Sequence, residues 1–184
     1  MGGLDKGLVT LNGRPLIEHA IERLRPQVGE LIISANRNHE QYRQHGHRVV
    51  ADESSDYPGP LAGVLSGLRG STTEYVVITP CDAPFVTQQL VARLSAALLT
   101  GNTDVAASHD GERIQQAFLL VRTSVTADLM AFLQTGQRSI AHWLRRHQVA
   151  LADFGDCGES FTNVNDVLER DKAETRLQQS EVLR

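Results

Sequence analysis

The chain has 184 residues, of which 41% are apolar and 22% charged, a composition that fits one ordinary globular domain and excludes a disordered or fibrous chain. Its 18 Lys and Arg against 22 Asp and Glu give a net charge of −4, which argues against a nucleic-acid surface and for a small-molecule substrate. There is no run of about 18 apolar residues to form a membrane span and no charged-then-apolar leader pattern, so no membrane partner and a cytoplasmic location are expected.

In chain order, Leu16, Ile17, Ala20, Ile21 and Leu24 share one helical face over residues 15–25, with Pro15 at the favoured first-turn position. Leu31-Ile32-Ile33 reads as a short buried strand, Asn36 to Gly46 as a polar stretch, and Val49-Val50-Ala51 as a second strand. Helical spacing returns at Leu61, Val64, Leu65 and Leu68. Tyr75 to Thr79 is the next strand, and a helix follows from the capping residue Thr87 through Leu99. This alternation predicts an α/β fold, a mostly parallel sheet flanked by helices. After Thr100 the pattern changes. Asp104 to Ser108 and Gln116 to Val121 read as strands around the turn-like His109-Asp110-Gly111-Glu112, a small antiparallel insertion over 104–121. Helices at Val125–Gln134 and Ser139–Arg146, a strand at Val149–Ala152 and a polar helix at Asp166–Gln178 complete a single domain over 1–184.

The segment Thr79-Pro80-Cys81-Asp82-Ala83-Pro84 places the Asp82 carboxylate at a strand's C-terminal end, where open α/β sheets bind ligands. The two prolines stiffen this loop, and a fixed carboxylate suits Mg²⁺, which takes one or two protein carboxylates and fills its other positions with water and substrate phosphates. Standing alone, such an Asp more often merely caps the next helix or satisfies a turn. Asp52 follows Val49-Val50-Ala51 at a second strand end, and Asn36 follows Ile32-Ile33 at a third, where its amide offers donors and an acceptor to a base edge. Lys6 follows Gly2-Gly3, a place where backbone N–H groups and an ammonium receive phosphates. Pro58-Gly59-Pro60-Leu61-Ala62-Gly63 joins a rigid turn to small residues at a helix start, so that Pro60, Leu61 and Gly63 become candidates for close ligand approach. Asn163 and Asn165 flank Val164 before the last helix, as ligands or as caps. The seven histidines form no metal-ligand pattern, and Cys81 and Cys157 are too isolated for a disulfide framework.

Taken together, Met1-Gly2-Gly3-Leu4-Asp5-Lys6, the VVADES segment from Val49 to Ser54, the DYPGPLAGVLSGL segment from Asp56 to Leu68 and the FTNVND segment from Phe161 to Asp166 resemble the molybdenum cofactor guanylyltransferases over essentially the whole chain. The resemblance implies a Rossmann-like nucleotidyltransferase that uses Mg²⁺, GTP and molybdopterin, with molybdenum-insertion proteins or apo-molybdoenzymes as further partners. It places Lys6 on the phosphates, Asp82 on the metal, Asp52 near the guanine or ribose, and Asn163 and Asn165 beside the metal and the pterin. Two departures stand out: Ser34 occupies a position where the family has Asn, and Asp166-Val167 replaces its Thr-Pro. A nucleotidyltransferase using CTP or a sugar phosphate, and a non-catalytic nucleotide- or pterin-binding relative, are the alternatives. Family members carry a strand and a Leu-Ala-Gly-Gly…Arg loop before this Met-Gly-Gly. An upstream segment is therefore expected, and the 184 residues alone are expected to be poorly soluble or to bind GTP weakly.

Overall fold

The computed structural model describes residues 5–52 and 59–182. A 3-10 turn at Lys6–Leu8 leads into a two-residue hairpin, β1 (Thr10–Leu11) against β2 (Arg14–Pro15), closed by Asn12 and Gly13. Both turn residues have positive φ, 49° and 75°, the backbone that an Asn-Gly pair adopts most readily. Helix α1 (Leu16–Leu24) follows, burying Leu16, Ile17, Ala20 and Leu24 on its expected face, with Pro15 immediately before it.

Strand β3 (Ile32–Ser34) pairs in parallel with β4 (Arg48–Val50), and α2 (His39–Arg43) crosses between them inside the polar stretch. Helix α3 (Pro60–Gly70) packs on β3 and β4 and reaches β5 (Tyr75–Ile78). After β5, the carbonyl and hydroxyl of Thr87 receive the N–H groups of Leu90 and Gln89, and α4 runs over Leu90–Gly101, three residues later than its capping residue suggested. Next come β6 (Val105–His109), β7 (Ile114–Arg122), α5 (Thr126–Gln134), α6 (Ile140–Leu144), β8 (Val149–Asp153), a 3-10 segment at Gly155–Phe161 and α7 (Val167–Val182).

The second sheet has the order β5–β7–β6–β8, with β5–β7 and β7–β6 antiparallel and β6–β8 parallel. The antiparallel pair over 104–121 is thus no appendage: β7 enters the sheet between β5 and β6. Among the described residues no strand pairs with the second edge of β3 or of β5.

Side-chain parity divides the core between the two faces of this sheet. Val105, Ala107, Leu119 and Val121 point toward α3, α5 and α6, where they meet Leu61, Leu65, Leu129, Leu133 and Trp143. Ala106, Phe118 and Leu120 point the other way, against Leu90, Leu94 and Leu98 of α4 and against Phe154 and Phe161. Both faces are covered, as the continuous apolar runs of β6 and β7 require. Helices α5 and α6 are clamped by one carboxylate. Asp128 accepts from the indole N–H of Trp143 at 3.0 Å and from Arg146 at 2.9 Å, and a ring nitrogen of His147 lies 3.0 Å away.

Candidate functional site

The loop after β5 is held by its own apolar residues, since Ala83, Phe85 and Val86 are all buried. Between them and the strand, Asp82 is only 5% exposed. A carboxylate buried to this degree needs a partner, and Lys6 supplies it: Nζ donates to Asp82 Oδ2 at 3.2 Å and to Asn165 Oδ1 at 2.6 Å. The lysine side chain stays 48% exposed, so the ammonium can be reached from solvent while the carboxylate is shielded.

Val164 explains how two asparagines arrive here. Its side chain is fully buried with Leu11, Leu16, Phe85 and Ala173, and its N–H donates to the Asp82 carbonyl at 2.9 Å. The residues on either side are carried to the same loop as a result. Asn165 meets Lys6, while Asn163 Oδ1 is buried with no hydrogen-bond partner among the described residues. The cap of α7 is Asp166, whose Oδ1 accepts the Glu169 N–H at 2.8 Å, while the Asn165 side chain is turned to Lys6 and its N–H donates to Glu169 at 2.6 Å.

A second group gathers at the ends of β3 and β4. Asn36 Nδ2 donates to Asp52 Oδ2 at 2.7 Å, and the Asp52 N–H donates back to Asn36 Oδ1 at 2.9 Å. Ser66 Oγ donates to the other carboxylate oxygen at 3.4 Å. Gly63 lies against this pair: a Cβ there would sit 2.9 Å from Ser34 Oγ and 4.0 Å from Asp52 Oδ1, so a side chain would have to turn the Ser34 hydroxyl aside. Pro60 is exposed at the start of α3, and Leu61 turns its side chain into the core, which leaves only its backbone for a ligand. Gly2, Gly3 and Pro58 lie outside the described residues.

The two groups are joined by residues that the sequence reading passed over. Asp5, quoted only as the neighbour of Lys6, accepts from Tyr42 at 2.5 Å and from Asn38 at 3.0 Å, and Arg37 Nε lies 3.4 Å away. Tyr42 carried no local signal, being one aromatic residue in a polar stretch. Burial, followed by the bond to Asp5, raises its pKa and keeps the hydroxyl a donor. Burial and the neighbouring Asp82 push the Cys81 thiol up to about 11, so no thiolate nucleophile competes with a phosphate here.

Among the described residues no three His, Cys, Asp or Glu side chains form a metal cage. The donors present are one buried carboxylate and two amide oxygens, one of them unpartnered, which is hard-oxygen chemistry suited to a cation that brings water and phosphate ligands of its own.

A carboxylate, an ammonium and amides gathered at strand ends of a sheet with helices on both faces define an α/β domain of the nucleotide-handling class. Solved structures share the fold. A molybdopterin-guanine dinucleotide biosynthesis protein A from Archaeoglobus fulgidus superposes with a TM-score of 0.80 at 20% identity, over 96% of this chain and 92% of its own. A 2-C-methyl-D-erythritol 4-phosphate cytidylyltransferase from Thermus thermophilus gives 0.73 at 18%, over 94% of each chain. Residues 1–151 match the model of the MobA-like NTP transferase domain. Two relatives are named molybdenum cofactor guanylyltransferase. That of Shewanella halifaxensis (strain HAW-EB4) is 44% identical over 90% of this chain and 82% of its own, and that of Shewanella sp. (strain MR-4) is 41% identical over 98% and 91%. The chain belongs to the MobA-like NTP transferases and, among them, to the molybdenum cofactor guanylyltransferase family.

Proposed function

We propose that the protein transfers GMP from GTP to molybdopterin, in the cytoplasm and with Mg²⁺ as its metal. The observation that carries this reading is the Lys6 ammonium, half-exposed and held between Asp82 and Asn165 by two hydrogen bonds. In the reaction, an oxygen of the terminal phosphate of molybdopterin forms a bond to the α-phosphorus of GTP. The bond from that phosphorus to the β-phosphate bridging oxygen breaks, and pyrophosphate carries away the electron pair. The attacking phosphate is already ionised near neutral pH, so no general base is required, and catalysis rests on positioning and on opposing developing charge.

Lys6 has the charge and the reach to meet the phosphates and stabilise the departing pyrophosphate. Asp52 and Asn36, each fixing the other, offer a carboxylate and an amide to the nucleoside. The first turn of α3, from Pro60 through Leu61 to Gly63, gives the nucleotide a close backbone approach. Asn163 and Asn165 stand on the pterin side. Asp82, with the amide oxygens beside it, is the seat for Mg²⁺, which when bound would neutralise phosphate charge and align an in-line displacement. No helix among the described residues is long and apolar enough to cross a membrane.

The test is to supply molybdopterin, Mg²⁺ and either GTP or CTP and to measure the pterin dinucleotide and pyrophosphate. The expected result is a guanine dinucleotide and stoichiometric pyrophosphate. Turnover with CTP alone would reassign the base, and tight binding of GTP without pyrophosphate release would make the protein a carrier.

A further inference from the structure

We propose that Tyr42 is a positioning residue for Lys6, acting through Asp5; the role rests on the guanylyl transfer proposed above. Tyr42 is 3% exposed although it lies in a polar stretch, and its hydroxyl is aimed at one acceptor, Asp5 Oδ1, at 2.5 Å. The other carboxylate oxygen takes Asn38 Nδ2 at 3.0 Å, with Arg37 Nε at 3.4 Å. Both oxygens of Asp5 are therefore committed to the β3–α2 segment. The Asp5 carbonyl receives the N–H of Leu8 at 3.0 Å and so closes the 3-10 turn that begins at Lys6. The backbone that carries the ammonium is anchored at its first residue by a charge-assisted bond.

A second observation points the same way. A Cβ added to Gly7 would lie 2.5 Å from the Tyr42 hydroxyl, 3.2 Å from its ring carbon Cε1 and 3.3 Å from the Cys81 sulfur. The tyrosine thus packs directly under the turn holding Lys6, and that turn in turn packs on the residue preceding Asp82. These contacts set the height of the turn over the β5 loop and with it the 3.2 Å reach from Nζ to Asp82 Oδ2. The anchoring also has an electrostatic consequence. Asp5 is the nearest carboxylate in sequence to Lys6, and if released it could draw the ammonium away or oppose an incoming triphosphate by like charge.

Tyr42→Phe removes the hydroxyl and keeps the ring. In GMP transfer from GTP to molybdopterin, kcat should fall about tenfold while KM for GTP changes less than about threefold, the pattern of a misplaced charge that acts in the transition state. The melting temperature should move by no more than about 4 °C. A thermal cycle tests the contact without turnover. Gly7→Ala should lower the melting temperature markedly in the wild-type background and less in the Tyr42→Phe background, where the 2.5 Å collision is gone. Equal losses in the two backgrounds, or a Tyr42→Phe enzyme with wild-type kcat, overturn the inference. A kcat that falls only in step with melting makes Tyr42 a packing residue and overturns it too. Wild-type protein that transfers no GMP would instead defeat the function itself, so the two failures are told apart.

Discussion

At the scale of single residues, the site rests on an ion pair of unequal exposure. Asp82 is buried and Lys6 is half open, so the two should respond differently to removal. Asp82→Asn keeps the shape of the loop and removes the charge. Turnover should fall at least about 10²-fold, the scale of losing one preorganised electrostatic group, with the far-ultraviolet circular dichroism unchanged; near-normal activity in Mg²⁺ would exclude Asp82 as the metal seat. Lys6→Ala should lower kcat more than it raises KM for GTP if, as proposed, the ammonium meets charge that grows as pyrophosphate leaves; steady-state kinetics at varied GTP would expose a pure binding role as a change in KM alone. Asp82, Asp52 and Asn36 could be singled out in the sequence because each follows an apolar run that ends in a loop, a local signal. Tyr42 and Asp5 could not be paired that way, since their bond spans 37 positions and neither residue departs from its local pattern.

At the scale of elements, periodicity located every long helix and every strand of the two larger sheets, with shifts of a few residues at the ends. Among the short pieces, the five-residue α6 was read, because Ile140, Trp143 and Leu144 mark one face, whereas α2, with Tyr42 alone in a polar stretch, and the Gly155–Phe161 segment show no such stripe. The β1–β2 hairpin also went unread, although its Asn12-Gly13 pair is a turn signal that needs no periodicity. The insertion of β7 between β5 and β6 was not legible, because strands buried on both faces read alike and nothing local records which neighbour each one takes. The connection between loop and core can be measured at Val164. Val164→Ala should cost about 1.5–3 kcal/mol by chemical denaturation, the scale of a buried valine side chain, and should lower GMP transfer by more than that loss of folded protein explains, because Asn163 and Asn165 lose their anchor. An activity loss no larger than the unfolded fraction would separate the loop from catalysis.

At the scale of the whole molecule, carboxylates bound by their neighbours govern behaviour in acid. Hydrogen bonds from the Arg113 backbone and the Gln115 side chain hold Asp110 down to about 2, and the Arg93 guanidinium holds Asp156 there as well. For Asp128 burial works in the opposite direction, but the bonds from Arg146 and Trp143 outweigh it and lower the pKa. All three shifts are depressions, so their contribution to stability is complete above the unfolded value near 3.9 and is lost as pH falls through the folded one. Unfolding should therefore grow easier between about pH 4 and pH 2, followed through the emission of Trp143, the single tryptophan, which is fully buried. Asp128→Asn should flatten the upper part of that slope, and an unchanged slope would remove the α5–α6 clamp from the account. The ammonium and the amide it touches stand 159 positions apart, which also gives the molecule a history. At ribosomal speeds of about 5–20 residues per second, roughly 8–30 s separate the emergence of Lys6 from that of Asn165. For most of that interval the growing chain carries both halves of the proposed nucleoside-side pair, Asn36 and Asp52, but lacks the amide that Lys6 touches. On the roles proposed for these residues, a nascent polypeptide does not hold a nucleotide in working order before Asn165 has left the ribosome.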